Sequence, residues 1–377
     1  MGGHGAGMAG LDHPRPGWDR FAHWRRGPAI VLLIVLAVLL ALAALTPLTA
    51  SMDGEVASVP ALVAEDAAPK GEGRDSDLAL YDRIIARVAK GENYYSVAVE
   101  EQRRGDYPVR PGLAVRLPTL AFLHAWLGED ILQGLSILLL GATAYAWWKR
   151  LGDEPGGARY RLIGATLMVL GGSSTINRYY FVLHEFWTGM LIALAFALHR
   201  PGRWHASLSV AAAALLLREH ALPFVLLMAA MALWRRDWRE GAAWALLTLI
   251  YAALLMVHLS TVAAYVGPQD PLGPTWLTLD GLSGWLSKIV LASNLRFLPH
   301  FIAGPLVLLM VFGWAGWKSD AGRTACLLYL GYALAFMIAG RANNFYWGAV
   351  VAPAMFVGLA FVPMATRSLA RTALGRA

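Results

Sequence analysis

The sequence is poor in the features that a water-soluble fold requires. Charged residues make up only 15% of its 377 positions, 57% belong to the hydrophobic set, and the mean hydropathy is +0.49. A fold surrounded by water cannot bury so much apolar surface. The single cysteine, Cys326, excludes an intrachain disulfide. This composition predicts an all-α polytopic membrane protein, because helices satisfy their own backbone hydrogen bonds inside a bilayer.

Signatures of other protein classes are also missing. No Gly-rich nucleotide loop follows a predicted strand, and no fixed-period repeat is present. After His184 and Glu185, Thr188 stands where an H-E-x-x-H zinc motif requires histidine. The net charge of +7 lies mostly in short links between apolar runs, where basic residues contact lipid headgroups. We therefore expect membrane lipids as partners and no nucleic acid.

About ten apolar runs approach the ~20 residues needed to cross a bilayer. They lie at residues 30–48, 131–148, 162–175, 186–198, 206–217, 222–234, 242–259, 297–317, 325–339 and 349–364. We predict a transmembrane domain over residues 30–364, a cytoplasmic tail over residues 1–29 and a basic cytoplasmic tail over residues 365–377. Within that domain, residues 51–116 form the first external loop.

The links between these runs alternate in chemistry. Links 149–161, 199–205, 234–240 and 317–323 are short and basic, which predicts that they face the cytoplasm. The other links hold acids, arginines, histidines and amides, so the sequence predicts a functional face on the outside. Segment 117–127 is apolar too, but a full span there would place the later basic links outside. We interpret it as an interfacial or re-entrant helix, with a spanning helix as the alternative.

An amphipathic helix is predicted in the external loop. Asp77, Tyr81, Ile85 and Val88 recur on one helical face, and Gly91 ends the pattern. Asp77 therefore heads an apolar stripe that faces the membrane or neighbouring spans. A carboxylate in such a partly desolvated place is a candidate acid or base. A carboxylate that is stabilised by the helix dipole also explains the position.

Asp75 and Asp77 form a D-x-D pair directly before this helix. The spacing lets two carboxylates share a divalent cation or a metal-bound phosphate. The pair is a candidate cation site, although the string alone is short and the sequence leaves the metal unknown.

Around this pair the chain resembles the C-type glycosyltransferase superfamily (GT-C), multi-span enzymes with an acidic signature in the first external loop followed by membrane-lying helices. The resemblance covers most of the chain through short motifs. They are DSDLALY at 75–81, GENYY at 91–95, YP at 107–108, RLPTL at 116–120, HEFW at 184–187, RE at 218–219 and GRANNFYW at 340–347.

The resemblance implies a bacterial inner-membrane enzyme that works on its periplasmic face. It would transfer a hexosyl or pentosyl group, as a mannosyltransferase-like enzyme does, from a polyprenyl phosphate donor to a lipid, glycan or protein acceptor, with inversion. Asp77 would be the catalytic base, and Arg218 and Arg341 would meet the leaving phosphate. The implied substrate-binding residues are Asp75, Tyr81, His184, Glu185, Arg218, Glu219, Arg341, Asn343 and Asn344. Beyond the candidate cation, no cofactor is implied.

Other interpretations stay open at this point. Arg218 and Glu219 also fit a structural ion pair, and Asn343 with Asn344 also fits a helix end. Arg178 and Arg296 are secondary candidates that also fit side chains reaching lipid headgroups. A membrane transporter or a flippase for lipid-linked saccharides is the alternative function, although its polar groups would be expected near mid-bilayer at broken helices.

Overall fold

The computed structural model describes residues 17–52, 55–58 and 75–376, and these are almost entirely helical. The α-helices are α1 (Arg26–Leu45), α2 (Ser76–Val88), α3 (Tyr94–Arg104), α4 (Thr119–Asp153), α5 (Arg161–Gly172), α6 (His184–Leu198), α7 (His205–Leu217), α8 (Leu222–Trp234), α9 (Trp238–Ala263), α10 (Gly281–Leu291), α11 (His300–Gly316), α12 (Asp320–Ile338), α13 (Ala352–Met355) and α14 (Val362–Ala373). The predicted all-α class is confirmed, apart from one antiparallel hairpin of β1 (Thr49–Met52) and β2 (Glu55–Ser58).

Short 3-10 helices join many of these elements. They lie at Phe21–His23, Gly112–Ala114, Ala158–Tyr160, Ser173–Ile176, Arg178–Tyr180, Glu219–Ala221, Asn294–Phe297, Ala342–Val350 and Phe356–Phe361. Two of them, at Glu219 and Ala342, carry residues of the predicted site.

Five helical stretches of the described chain are long and apolar enough to cross a membrane. They are Arg26–Leu45, Gly112–Asp153, Trp238–Ala263, Asp320–Ile338 and Ala352–Ala373. Apolar side chains on their surfaces are widely exposed, including Val31, Leu138, Leu249 and Leu334, each more than half accessible. So much outward apolar surface is compatible with a lipid-facing protein. The ten predicted apolar runs all contain helix, but only these five stretches reach spanning length.

Helix α4 is broken near its start. Gly128 has φ 75° and ψ 167°, a backbone conformation that residues with a Cβ rarely adopt. The break separates a short helix from the apolar helix that follows, and His124 Nε2 in the short part lies 3.1 Å from the Phe181 carbonyl oxygen. Segment 117–127 thus ends in a helix that Gly128 separates from the helix after it, and whether this segment spans the membrane stays a prediction.

The segment predicted as the external loop has a small core of its own. Helices α2 and α3 pack together through Ile84, Val88 and Val97, and the core continues to Val115 before α4 and to Val262 at the end of α9. The amphipathic helix predicted from the position of Asp77 is thus formed, and its apolar face packs on protein. This core fixes α2 beside the spans and so positions Asp77.

A charged contact ties this loop to the link after α9. Arg103 donates two hydrogen bonds of 2.8 Å to the carboxylate of Asp270 and one of 2.9 Å to the Tyr265 carbonyl. The Arg103 guanidinium and the Gly267 N–H hold the pKa of Asp270 at about 2. Arg110 Nη1 donates to the Asp270 carbonyl oxygen at 3.0 Å. We name Arg103, Arg110 and Asp270 the loop latch.

Two parts of the chain differ from the sequence expectation. Residues 261–296, predicted as an external link, contain the largely buried helix α10, in which Lys288 interrupts an otherwise apolar stretch. Residues 349–364, predicted as one continuous span, alternate between 3-10 and α-helix. Pro353 and Gly358 in this stretch both disfavour a regular α-helix.

The main chain of the neighbouring segment, Ala342–Val350, packs directly against the main chain of two helices. A Cβ added at Gly348 would overlap the Lys288 carbonyl oxygen of α10. A Cβ added at Gly189 of α6 would overlap the Ala349 carbonyl oxygen. The segment Ala342–Val350 is therefore held between α6 and α10 by contacts that only glycine permits.

Candidate active site

Charged side chains converge where α2, α6 and the turn between α7 and α8 meet. Glu185 lies in the first turn of α6, and Arg218 follows the last residue of α7. Arg218 Nε lies 2.9 Å from Glu185 Oε1, and Arg218 Nη1 lies 3.1 Å from Glu219 Oε1. The Arg218 and Glu185 side chains are each 1% exposed. Charges this deeply buried need a partner, because desolvating a lone ion costs several kcal/mol.

A second arginine enters from the loop before α4. Arg116 Nη2 lies 4.0 Å from Glu185 Oε1, and its Nε donates a 3.0 Å hydrogen bond to the Tyr81 hydroxyl. The Tyr94 hydroxyl donates to the Arg116 carbonyl oxygen at 2.7 Å, which fixes this loop. The Tyr81 ring meets the His184 ring edge-on, with centroids 5.8 Å apart. We name the following residues the outer cluster: Tyr81, Arg116, Glu185, Arg218 and Glu219.

Asp77 lies next to the outer cluster. Burial raises the pKa of the Tyr81 hydroxyl, the Arg116 guanidinium opposes this rise, and the carboxylates of Asp77 and Glu185 add to it. Burial also raises the pKa of the Tyr107 hydroxyl, and the Asp77 carboxylate adds to that rise. The Asp77 carboxylate therefore raises the pKa of both tyrosines. Because Tyr81 belongs to the outer cluster, the candidate base lies at the edge of this cluster.

Asp75 and Asp77 line one small cleft together with Arg296 and Tyr346. Asp75 is also the N-cap of α2, since its Oδ1 accepts a 3.0 Å hydrogen bond from the Asp77 N–H. The cleft has a volume of about 30 Å³. Sites for small molecules measure about 300–1,000 Å³, so a sugar would enter only after the cleft widens.

The Arg341 motif heads the segment Ala342–Val350, which packs on α6 and α10. Asn344 Oδ1 accepts a 3.3 Å hydrogen bond from the Arg341 N–H, and Asn344 Nδ2 donates to the Tyr346 hydroxyl at 3.3 Å. Asn344 therefore caps a helix, which agrees with the helix-end interpretation of the two asparagines. Tyr346 links this segment to the cleft that contains Asp77.

Several buried polar atoms near the site have no hydrogen-bond partner within the part of the chain that the structure describes. They are Arg218 Nη2, His184 Nε2, Arg341 Nε, Asn343 Oδ1 and Trp347 Nε1. Arg218 Nε and Nη1 approach their carboxylates at ion-pair distance but without hydrogen-bond alignment. The Trp347 ring lies 4.5 Å from the His220 ring, beside Glu219. Because buried polar atoms normally find partners, this group indicates a site for a polar or anionic ligand.

The structure gathers most of the predicted site residues in one region. The residues that contact one another or share the cleft are Asp75, Asp77, Tyr81, His184, Glu185, Arg218 and Glu219. Arg341, Asn343 and Asn344 lie on the segment whose Tyr346 lines the cleft and whose Trp347 contacts His220. Arg178 is elsewhere, paired with Asp130 at 2.7 Å on an exposed surface. Among the described residues, no group of three or more His, Cys, Asp or Glu side chains is placed to hold a metal.

Two functional candidates were absent from the predicted set. Arg116 is the lone charge between Arg110 and His124, and Lys288 is the lone charge within α10. Lys288 is 2% exposed and its Nζ donates a 2.8 Å hydrogen bond to the Gly340 carbonyl oxygen, just before Arg341. An isolated charge in an apolar stretch of a membrane protein is itself a functional signal, so the sequence singles out both residues but not the partners that the fold gives them.

Comparisons with protein-family models, with curated proteins and with solved structures found no match to this chain.

Proposed function

We propose that the protein is an integral membrane glycosyltransferase with about ten spans, in the bacterial inner membrane. It moves a hexosyl or pentosyl group from a polyprenyl phosphate donor to a lipid, glycan or protein acceptor, with inversion. The outer cluster faces the periplasm and both termini are cytoplasmic, as the basic links indicate. The basis of this proposal is the site chemistry together with the motifs at 75–81, 184–187, 218–219 and 340–347.

The observation that carries the proposal is the buried Arg218 guanidinium, in a cluster whose Tyr81 also lies near the Asp77 carboxylate. Arginine has five N–H donors in a planar fork that matches phosphate oxygens. Arg218 Nη2 has no partner among the described residues, and its other two nitrogens form ion pairs without aligned hydrogen bonds. Arg116 brings a second cation to the same carboxylate, Glu185. A site that contains guanidinium N–H donors without hydrogen-bond partners suits a phosphate leaving group.

The reaction follows from these positions. Asp77 takes the proton from the acceptor hydroxyl, whose oxygen attacks the anomeric carbon of the donor sugar. The bond from that carbon to the phosphate oxygen breaks, and polyprenyl phosphate leaves with the bonding electron pair. Arg218 and Arg116 stabilise the charge that grows on the phosphate, in a site with little water. Glu185 holds the two arginines in place, and Asp77 later releases its proton to solvent.

The small cleft adds a conformational requirement. At about 30 Å³ the cleft that contains Asp77 admits about one water. Binding of donor and acceptor therefore requires α2 to move away from Tyr346. The loop latch holds the α2–α3 unit to the link after α9, so its opening is the natural route by which the cleft widens.

The test is an Asp77→Asn variant in proteoliposomes. The substrates are polyprenyl phosphate mannose and polyprenyl phosphate arabinose, and the readout is release of polyprenyl phosphate. Loss of a general base costs about two to four orders of magnitude in turnover. Asp82→Asn, on the same helix but off the Asp77 face, is the matched control and should retain activity. An Asp77→Asn protein that inserts normally and turns over at the wild-type rate would exclude this mechanism.

Arg218→Lys is a second arm of the test. Lysine keeps the charge but loses the fork that grips phosphate oxygens, so turnover at saturating donor should fall. Wild-type turnover with a raised KM would limit Arg218 to donor binding.

One observation favours the alternative, a transporter or flippase. The stretch Ala342–Phe361 is a discontinuous helix inside the bundle, which is a feature of carriers. The same proteoliposomes decide between the two functions. Movement of the lipid-linked sugar across the bilayer without transfer, at a rate that Asp77→Asn leaves unchanged, would favour the carrier.

A further inference from the structure

A large apolar groove is lined by none of the outer-cluster residues. It has a volume of about 730 Å³ and runs between α1, α11 and α12. Its wall on α12 extends from Arg323 to Met337, which is about 21 Å at the helical rise. One leaflet of a bilayer is about half of the ~30 Å hydrocarbon thickness. The groove is therefore long enough to hold a whole acyl chain.

One end of the groove is basic. Arg20, Arg235 and Arg323 all line it. Arg20 Nε donates to the Ala315 carbonyl oxygen at 2.6 Å, and Ala315 and Arg323 lie on either side of the turn between α11 and α12. Arg235 follows the last residue of α8, at the same basic set of links. The three guanidiniums therefore form a positive rim at the predicted cytoplasmic end.

Part of this positive charge is available to a ligand. Arg235 Nη2 is paired with Glu240 at 2.9 Å, but its buried Nε and Nη1 have no hydrogen-bond partner among the described residues. Arg323 is 53% exposed, and its nearest carboxylate, Asp320, is 3.8 Å away. Trp24 and Trp234 line the same end, and tryptophan favours the headgroup level of a membrane.

We propose that this groove binds an anionic phospholipid of the cytoplasmic leaflet. Its acyl chain lies between α1 and α12, and its phosphate contacts Arg235 and Arg323. Charge complementarity selects the lipid, since the groove wall is apolar along its length and cationic only at its rim. A zwitterionic lipid has the same phosphate but adds a choline cation, which the arginine rim repels. This site is independent of the proposed sugar transfer.

The test is native mass spectrometry of the full chain, released from detergent with added palmitoyl-oleoyl phosphatidylglycerol or phosphatidylcholine. The wild type should retain one phosphatidylglycerol in preference to phosphatidylcholine. Arg323→Gln should reduce this preference about fivefold, the factor that corresponds to about 1 kcal/mol for a basic residue near a lipid surface. Arg239→Gln, an exposed arginine outside the groove, is the matched control and should retain the lipid.

Arg235→Lys provides a further variant, because it keeps the charge next to the buried Glu240 and so preserves folding. It should weaken phosphatidylglycerol retention by loss of the guanidinium fork. Equal retention of the two lipids by the wild type would overturn the proposal. So would displacement of the lipid by soluble glycerol phosphate, which would indicate a simple anion site. A wild-type dimer without lipid would show that the groove is instead a contact between two copies.

Discussion

The ion pair between Glu185 and Arg218 should be the most sensitive point of the structure to loss of one charge. Glu185→Gln preserves the shape of the side chain but removes the carboxylate that lies 2.9 Å from Arg218 and 4.0 Å from Arg116. Removing one partner of a buried pair costs about 3–5 kcal/mol, because the remaining charge is left uncompensated. Arg218 keeps Glu219 at 3.1 Å, while Arg116 loses the carboxylate at 4.0 Å, so we expect the lower part of this range.

The double variant separates burial of charge from loss of packing. Glu185→Leu combined with Arg218→Met removes both charges and keeps side chains of similar volume, so it should cost less than either single change. The free energy of unfolding is measured by SDS titration in mixed micelles, followed by tryptophan fluorescence. Arg178→Gln is the control, since its partner Asp130 is 91% exposed and such pairs contribute about 0–1 kcal/mol.

Two results would refute this reasoning. The first is a Glu185→Gln protein within about 1 kcal/mol of the wild type, which is the behaviour of a surface pair. The second is a double variant whose cost equals the sum of the single changes, since independent sites add and coupled ones do not.

Two further predictions concern topology and the loop latch. Reporter fusions after residues 74 and 236 should report opposite sides of the membrane, and the same side for both would contradict the one-sided placement of the site. The pKa of Asp270 falls from an ordinary 3.8 to about 2 in the folded protein. The contribution of the latch is therefore complete above about pH 4 and is lost as pH falls towards 2. Amide hydrogen exchange in α3 should become faster in the wild type as the pH falls through this range. In Asp270→Asn the exchange should be fast at every pH. Identical exchange in the two proteins would show that the loop latch does not stabilise α3.

The sequence predicted the helices well because their causes are local. Apolar runs identify helices without reference to partners, and the period of Asp77, Tyr81 and Val88 placed α2 within a residue or two of its observed bounds. The role of Asp75 as an N-cap has a local cause as well. It follows from its position directly before the helix.

Tertiary causes explain what the sequence did not reveal. Helix α10 is buried on all sides, so its apolar residues carry no period, and Lys288 made it resemble an external link. The backbone packing of Gly348 on α10 and of Gly189 on Ala349 likewise depends on partners that are distant in the chain. Arg116 was overlooked as a site residue because it lies far along the chain from Glu185, and only the fold brings their side chains together.

The backbone packing of Gly189 and Gly348 has a consequence for how this site can vary through evolution. Side chains around Arg341 can be exchanged while its carrier segment stays in place, because main-chain atoms of α6 and α10 hold that segment. Under the proposed function, substrate preference can therefore change through neighbouring aromatic and amide residues while the segment that carries Arg341 stays in place. Gly189 and Gly348 cannot be exchanged, because a Cβ at either position would overlap a main-chain oxygen. A saturation library of this region that is selected for membrane insertion and folding should tolerate many residues at Asn343 and Phe345 and almost none at the two glycines.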